Sequence, residues 1–306
     1  MPRRLRLVPL GTPVEITQRT LQGRLLLRPT PELAQIILGI LGRAQRLFDM
    51  TIHAFIFLSN HYHLIVTPTN ARRQAEFMSY VAGNLAREVG RVAEWQEKVW
   101  GRRYAHVPIT DEPEAQIDRL RYVLAQGVKE GLVTHAIEWP GASSLPALLD
   151  GSMRCRGKWY DRTTSYRAHK AGQELRPEDW IQDEEVVLTP LPALAHVEPR
   201  DYAAAVLQMI QEIEAAAEES RGREVLGAEA LAAQDPHEAV VQRKRTPIPL
   251  VHAATVEAWK AFKSAYRAFL VAYQYASARL RAGVRDALFP EGAFPPALPF
   301  VEHAPT

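Results

Sequence analysis

The sequence has a single cysteine, Cys155, so one chain can form neither an internal disulfide nor a cysteine-based zinc cluster, and a reducing cytoplasm is the expected setting. It also lacks a run of about 18 uninterrupted apolar residues, which excludes an obvious membrane-spanning helix. The opening Met1-Pro-Arg-Arg-Leu-Arg is positively charged, but Gly11, Thr12, Pro13 and Glu15 break up any apolar core of an export signal behind it. No internal repeat is found.

What is present is a charge split hidden by a net charge of +2. Residues 1–170 hold 24 Lys and Arg against 15 Asp and Glu (+9), leaving 13 and 20 (−7) for residues 171–306. A basic half points to a polyanionic partner, most often nucleic acid. At 306 residues the chain is long enough for two domains. The expected division is a basic module over 1–170 and a mainly α-helical region over 171–306.

Residues 14–28 read as one or two strands with Gly23 as a bend, and Thr30-Pro31-Glu32 opens a helix whose apolar stripe runs from Leu33 to Phe48. Residues 50–58 and 61–67 pair as a hairpin around Ser59-Asn60. A helix follows over 72–93, then a strand ending in Ala-His-Val-Pro-Ile-Thr110, then a helix opened by Asp111-Glu112-Pro113 and stopped near Gly131. The order β, α, β, β, α, β, α predicts an α+β fold, a ferredoxin-like antiparallel sheet covered by helices. Residues 140–170 read as loop-rich and basic, 172–200 as a connector, and 200–220, 223–234 and 254–282 as helical, with an extended proline-rich tail.

In a strand, His61 and His63 leave the same face while Tyr62 points away. Two neutral imidazoles side by side are a partial site for a divalent ion, although a bare His-x-His is more often a pair of solvated strand residues. Sixty residues on, Tyr122 and Gln126 stand one helical turn apart, with Asp118 and Lys129 on or near that face. A phenol with a pKa of about 10 needs help to act as a nucleophile, and a metal that polarises a phosphate would supply it.

Leu58-Ser-Asn-His61-Tyr-His63-Leu-Ile-Val66 resembles the His-hydrophobic-His motif of HUH single-strand endonucleases, specifically that of REP-associated tyrosine transposases. Leu120-Arg-Tyr122-Val-Leu-Ala-Gln126-Gly-Val-Lys-Glu-Gly131-Leu-Val133 is similar to that family's tyrosine helix. Trp139-Pro-Gly-Ala-Ser143-Ser144 is a looser echo of its following aromatic and Ser-Ser pattern. Where the family usually has Asn-Pro, this chain has Gln126-Gly127, and Ser59 stands where a proline usually precedes Asn60.

The resemblance implies the HUH nuclease fold and a divalent Mg or Mn ion held by His61, His63 and Gln126. It implies Tyr122 as the nucleophile that cleaves and rejoins single-stranded DNA through a 5′-phosphotyrosine, on hairpin ends of repetitive elements, by a cytoplasmic monomer or homodimer. Arg72, Arg73, Arg102, Arg103, Arg119 and Arg121 are the candidate DNA-binding residues, with Trp100 or Tyr104 able to stack on bases. Arg154, Arg156, Lys158 and Arg162 form a second phosphate strip, and Gln242-Arg-Lys-Arg245 a further basic loop. Two other readings remain: a domesticated DNA-binding protein without cutting activity, and an HUH replication-initiation or relaxase-type nuclease. His53, His106 and His135 read as core or surface residues.

Overall fold

The computed structural model describes residues 4–220, 224–240 and 247–294; Gln242-Arg-Lys-Arg245 and the end of the proline-rich tail lie outside them. The first 108 residues build β1 (Val14–Arg19), α1 (Pro31–Phe48), β2 (Met50–Leu58), β3 (His61–Pro68), α2 (Ala71–Val92) and β4 (Ala105–Pro108). The four strands form one antiparallel sheet in the order β2-β3-β1-β4, the ferredoxin-like arrangement that the element order predicts.

Local chemistry sets these boundaries. The Thr30 hydroxyl accepts from the Leu33 amide and Pro31 fills the first helical position of α1, while the Asn70 side chain accepts from the Arg73 amide to start α2. Ser59-Asn60 closes the β2–β3 hairpin and fixes Leu58 opposite His61. Residues 21–28 make no second strand: Gln22 and Gly23 take positive φ and turn the chain, leaving Leu25, Leu26 and Leu27 to be buried in an irregular segment.

Tyr62, Leu64 and Val66 face α1 and α2 and pack into the main core. The opposite face is covered by α3 (Pro113–Leu124), followed after Ala125 by α4 (Gln126–Lys129). A short α5 (Leu145–Leu149) comes next, and the Ala142–Ser144 backbone pairs with the outer edge of β2.

The expected loop and connector contain regular structure: β5 (Arg154–Tyr160), α6 (Arg162–Lys170) and β6 (Ile181–Val187). The two strands pair antiparallel and lie on the outer side of α1, so the 170/171 charge boundary falls between them. Their contact with α1 is backbone on backbone. A Cβ on Gly39 would stand 2.1 Å from the Lys158 carbonyl oxygen, and one on Gly157 2.4 Å from the Gly39 nitrogen.

The remaining helices are α7 (Pro199–Ser220), α8 (Ala228–Ala232) and α9 (Val256–Arg281). Helix α7 packs on α3, α4 and α5. Residues 225–238 run as a strap over the loops at one end of the sheet. The Leu226 and Gly227 amides donate to the Gly131 and Leu132 carbonyls, the Ser59 hydroxyl donates to the Gln234 side chain, and the Leu25 amide donates to the Glu238 carbonyl. Among the described residues no helix is long and apolar enough to cross a membrane.

The close approach predicts that Gly39→Ala loses about 1–3 kcal/mol of stability, because the overlap is with backbone that has no rotamer to yield. A urea titration followed by circular dichroism checks this; an unchanged midpoint would refute the packing argument.

Candidate active site

The alternation of β3 sends Tyr62 and His63 to opposite sides of the sheet. Tyr62 is fully buried, stacks on Phe57 with ring centroids 4.8 Å apart, and donates to the Gln18 side chain at 2.9 Å. His61 and His63 project together from the other face with ring centroids 5.0 Å apart. Tyr122 of α3 comes down on the same face, its ring edge-on to His63 at 5.5 Å. Residues 61, 63 and 122 thus meet within one chain. Gln126 follows one turn later, buried, with its amide nitrogen donating to the Tyr122 carbonyl at 2.9 Å.

Each imidazole has one nitrogen engaged. Asn60 Oδ1 lies 2.6 Å from His61 Nδ1, and Glu15 Oε1 lies 2.7 Å from His63 Nδ1. Acceptors at Nδ1 fix the proton there and leave the Nε2 lone pairs free. His63 Nε2 is buried and has no hydrogen-bond partner. Burial, followed by the neighbouring His63 and Arg19, holds the His61 imidazole well below its ordinary pKa, so it is neutral at pH 7.

The unpartnered His63 Nε2, with His61 beside it and the amide oxygen of Gln126 one turn after Tyr122, is a donor set that would suit a divalent ion. A mixed nitrogen and oxygen set suits Mn²⁺ at least as well as Mg²⁺. Among the described residues no group of three or more His, Cys, Asp or Glu is placed to hold a metal.

Glu15 is the organising group, and it was not among the residues singled out from the sequence. It is only 4% exposed; one oxygen accepts a hydrogen bond from His63 Nδ1 and the other pairs with the Arg119 guanidinium at 3.0 Å. The Arg119 guanidinium also lies 4.6 Å from the centroid of the Tyr122 ring and contacts His252 Nδ1 at 2.9 Å. Desolvation raises the Glu15 pKa, but the hydrogen bond and charge of His63, with Arg119 and His252, outweigh it and keep the carboxyl below the usual range. Tyr122 goes the other way: burial chiefly, then the Glu15 charge, push its phenol above 10, partly opposed by Arg119 and Gln126. In β1 the polar Glu15, Thr17 and Arg19 alternate with Val14, Ile16 and Gln18, so the sequence shows a polar face but gives no sign that Glu15 on it is buried.

The candidate DNA-binding arginines separate. Arg119 turns inward, as described. Arg121 pairs with Glu212 of α7 at 2.7 Å. Arg102 and Arg103 are exposed on the loop entering β4, beside the end of β1, where the Gly101 amide donates to the Arg19 carbonyl. Arg72 and Arg73 both pair with Glu76 and start α2, beyond the far end of β3; the five steps along the strand from His63 to Pro68 span about 17 Å.

Trp100 makes a T-shaped contact with Tyr62 and donates to the Ala82 carbonyl, and one face of the Tyr104 ring is covered by the Arg6 guanidinium. The second basic strip is ion-paired: Arg154 and Arg156 with Glu185, Lys158 with Asp183, Arg162 with Glu88. His53 is buried and His106 half-buried, satisfied by Thr189 and Thr67 and by Gln74 and Leu7, and desolvation lowers both to about 4. His135 pairs with Glu214.

No family model and no curated protein matches the chain. Two solved structures show a partial likeness. One is the REP-associated tyrosine transposase bound to a REP hairpin, with 19% identity and a TM-score of 0.38 over 47% of this chain and 82% of that one. The other is described as a "putative transposase" from Deinococcus radiodurans, with 17% identity and a TM-score of 0.28 over 39% of this chain and 95% of that one.

The buried bridge makes its own prediction. Glu15→Ala leaves the Arg119 charge uncompensated and should cost about 3–5 kcal/mol. Glu15→Gln keeps an acceptor for His63 and should cost less. Chemical denaturation of both variants checks the order; a loss below 1 kcal/mol in Glu15→Ala would show that the bridge is solvated.

Proposed function

We propose that the chain is a metal-dependent endonuclease and strand transferase that cleaves and rejoins single-stranded DNA, with Tyr122 as its nucleophile and hairpin ends as its substrate. The observation that carries this reading is the Tyr122 ring packed against His63, with His61 alongside, in a chain whose motifs resemble those of tyrosine transposases.

In the proposed reaction Tyr122 Oη attacks a DNA phosphorus in line with the 3′ oxygen. The Oη–P bond forms, the P–O3′ bond breaks, the phenolic proton leaves to water, and the departing oxygen takes up a proton as a 3′-OH. The product is a 5′-phosphotyrosine, a diester of the same bond class as the one broken, so a second 3′-OH can reverse the step on another strand without ATP.

The chain's own residues meet the main difficulty, which is the cost of forming tyrosinate in a partly buried site. Arg119 on the ring and the Gln126 amide favour the phenolate, against the burial and the Glu15 charge that oppose it. Asn60 and Glu15 engage Nδ1 of the two imidazoles and so fix the orientation of the rings. His61, His63 and Gln126 would hold a Mg²⁺ or Mn²⁺ ion, which when bound polarises a non-bridging phosphate oxygen and orients the group for attack.

Incubation with a labelled single-stranded hairpin and Mn²⁺ should yield an adduct that survives SDS, disappears in Tyr122→Phe, and is not formed with EDTA. A protein that binds the hairpin but gives no Tyr122-dependent adduct across a broad hairpin set would be a DNA-binding module, and the proposed reaction would be wrong.

A further inference from the structure

We propose that Arg19 and Lys129 form a phosphodiester-binding pair that flanks Tyr122 and receives the DNA backbone at the site; this rests on the function proposed above. Neither residue has been assigned a role so far. Arg19 is the last residue of β1, directly opposite His61 in the strand register, and shares its face with Glu15 and Thr17. Its side chain is exposed, and its charge acts on both His61 and Tyr122. Lys129 ends α4 with its Nζ 5.0 Å from the centroid of the Tyr122 ring, and it too is exposed. The two cations therefore stand at the rim of the surface where His63 and Tyr122 meet.

Their lack of acid partners distinguishes them. Among the described residues neither side chain reaches a carboxylate at ion-pair distance, whereas their neighbours do: Arg119 pairs with Glu15 and Arg121 with Glu212. Glu130 is the acid whose charge Arg19 senses, together with that of Tyr122. Lys129 lies on the Tyr122 ring and Arg19 stands opposite His61 on the same face; two such cations repel each other, and an anion placed between them converts that repulsion into attraction. A phosphodiester oxygen pair suits the forked guanidinium of Arg19, and the ammonium of Lys129 adds a point charge. Arg102 and Arg103, which follow the Gly101 amide bonded to the Arg19 carbonyl, continue the same positive rim outward. A single strand entering past them would reach Arg19 before it reaches Tyr122.

The experiment is fluorescence anisotropy with a fluorescein-labelled single-stranded DNA hairpin, in EDTA, over a series of salt concentrations. Arg19→Gln and Lys129→Gln should each weaken binding about tenfold, the effect of one charged hydrogen bond. Each should also make the slope of log K against log salt shallower by about 0.7, the value for one lost single-strand phosphate contact. A charge removed for structural reasons alone would not change that slope. Arg46→Gln, whose side chain pairs with Glu184 on the outer side of α1, should match the unaltered chain. Unchanged affinity and slope in both site variants overturns the pair; if the Tyr122-dependent adduct still forms, the proposed function survives that result. Failure of the unaltered chain to bind the hairpin at all overturns both.

Discussion

The site depends on one carboxylate serving two partners. Glu15 accepts a hydrogen bond from His63 with one oxygen and pairs with Arg119 through the other, in a place almost closed to water. A buried charge of either sign alone would be costly, so the strand that carries Glu15, the strand that carries His63 and the helix that carries Arg119 are held in an arrangement that pairs the carboxylate with both. Because Arg119 also lies on the Tyr122 ring, that arrangement sets where the phenol sits. Burial and the Glu15 charge raise the phenol's pKa, and burial, with His63 and Arg19 beside it, lowers that of His61, so the geometry holds the Tyr122 phenol protonated and the His61 ring neutral.

Much of this was legible in the sequence because the governing rules are local. The period of two put His61 and His63 on one face, the helical turn put Tyr122 and Gln126 together, and Thr30-Pro31 and Asn70 marked the helix starts. Glu15 was missed because its partners are 48 and 104 residues away, and nothing near it in sequence announces a bridge. Arg119 was expected to face a phosphate, but the helix turn that presents Tyr122 to the sheet presents Arg119 as well. The β5–β6 hairpin was hidden by its inward residues: Cys155 and Gly157 alternate with Arg154, Arg156 and Lys158, and a glycine facing a helix backbone carries no hydrophobic signal.

The split between a basic and an acidic half also resolves into contacts. Acids beyond residue 171 meet specific cations before it: Glu212 with Arg121, Glu214 with His135, Glu184 with Arg43 and Arg46, Glu185 with Arg154 and Arg156, Asp183 with Lys158. The acidic half thus neutralises much of the outer surface of the basic half and leaves Arg19, Arg102, Arg103 and Lys129 at the end of the sheet where His61 lies. Exposed pairs of this kind add little stability, but they shape the field that a polyanion meets.

The strap over residues 225–238 gives this division a mechanical meaning. It fastens the chain just after the tyrosine helix, at Gly131 and Leu132, to the turn before the histidines, at Ser59, and to the turn after the first strand, at Leu25. These are the three points where Tyr122, the imidazoles and Glu15 would otherwise drift apart. The late part of the chain is a buckle on the early part, so a cut where the charge changes sign would release the parts of the site from one another, and the smallest piece that keeps the site assembled extends well into the acidic half.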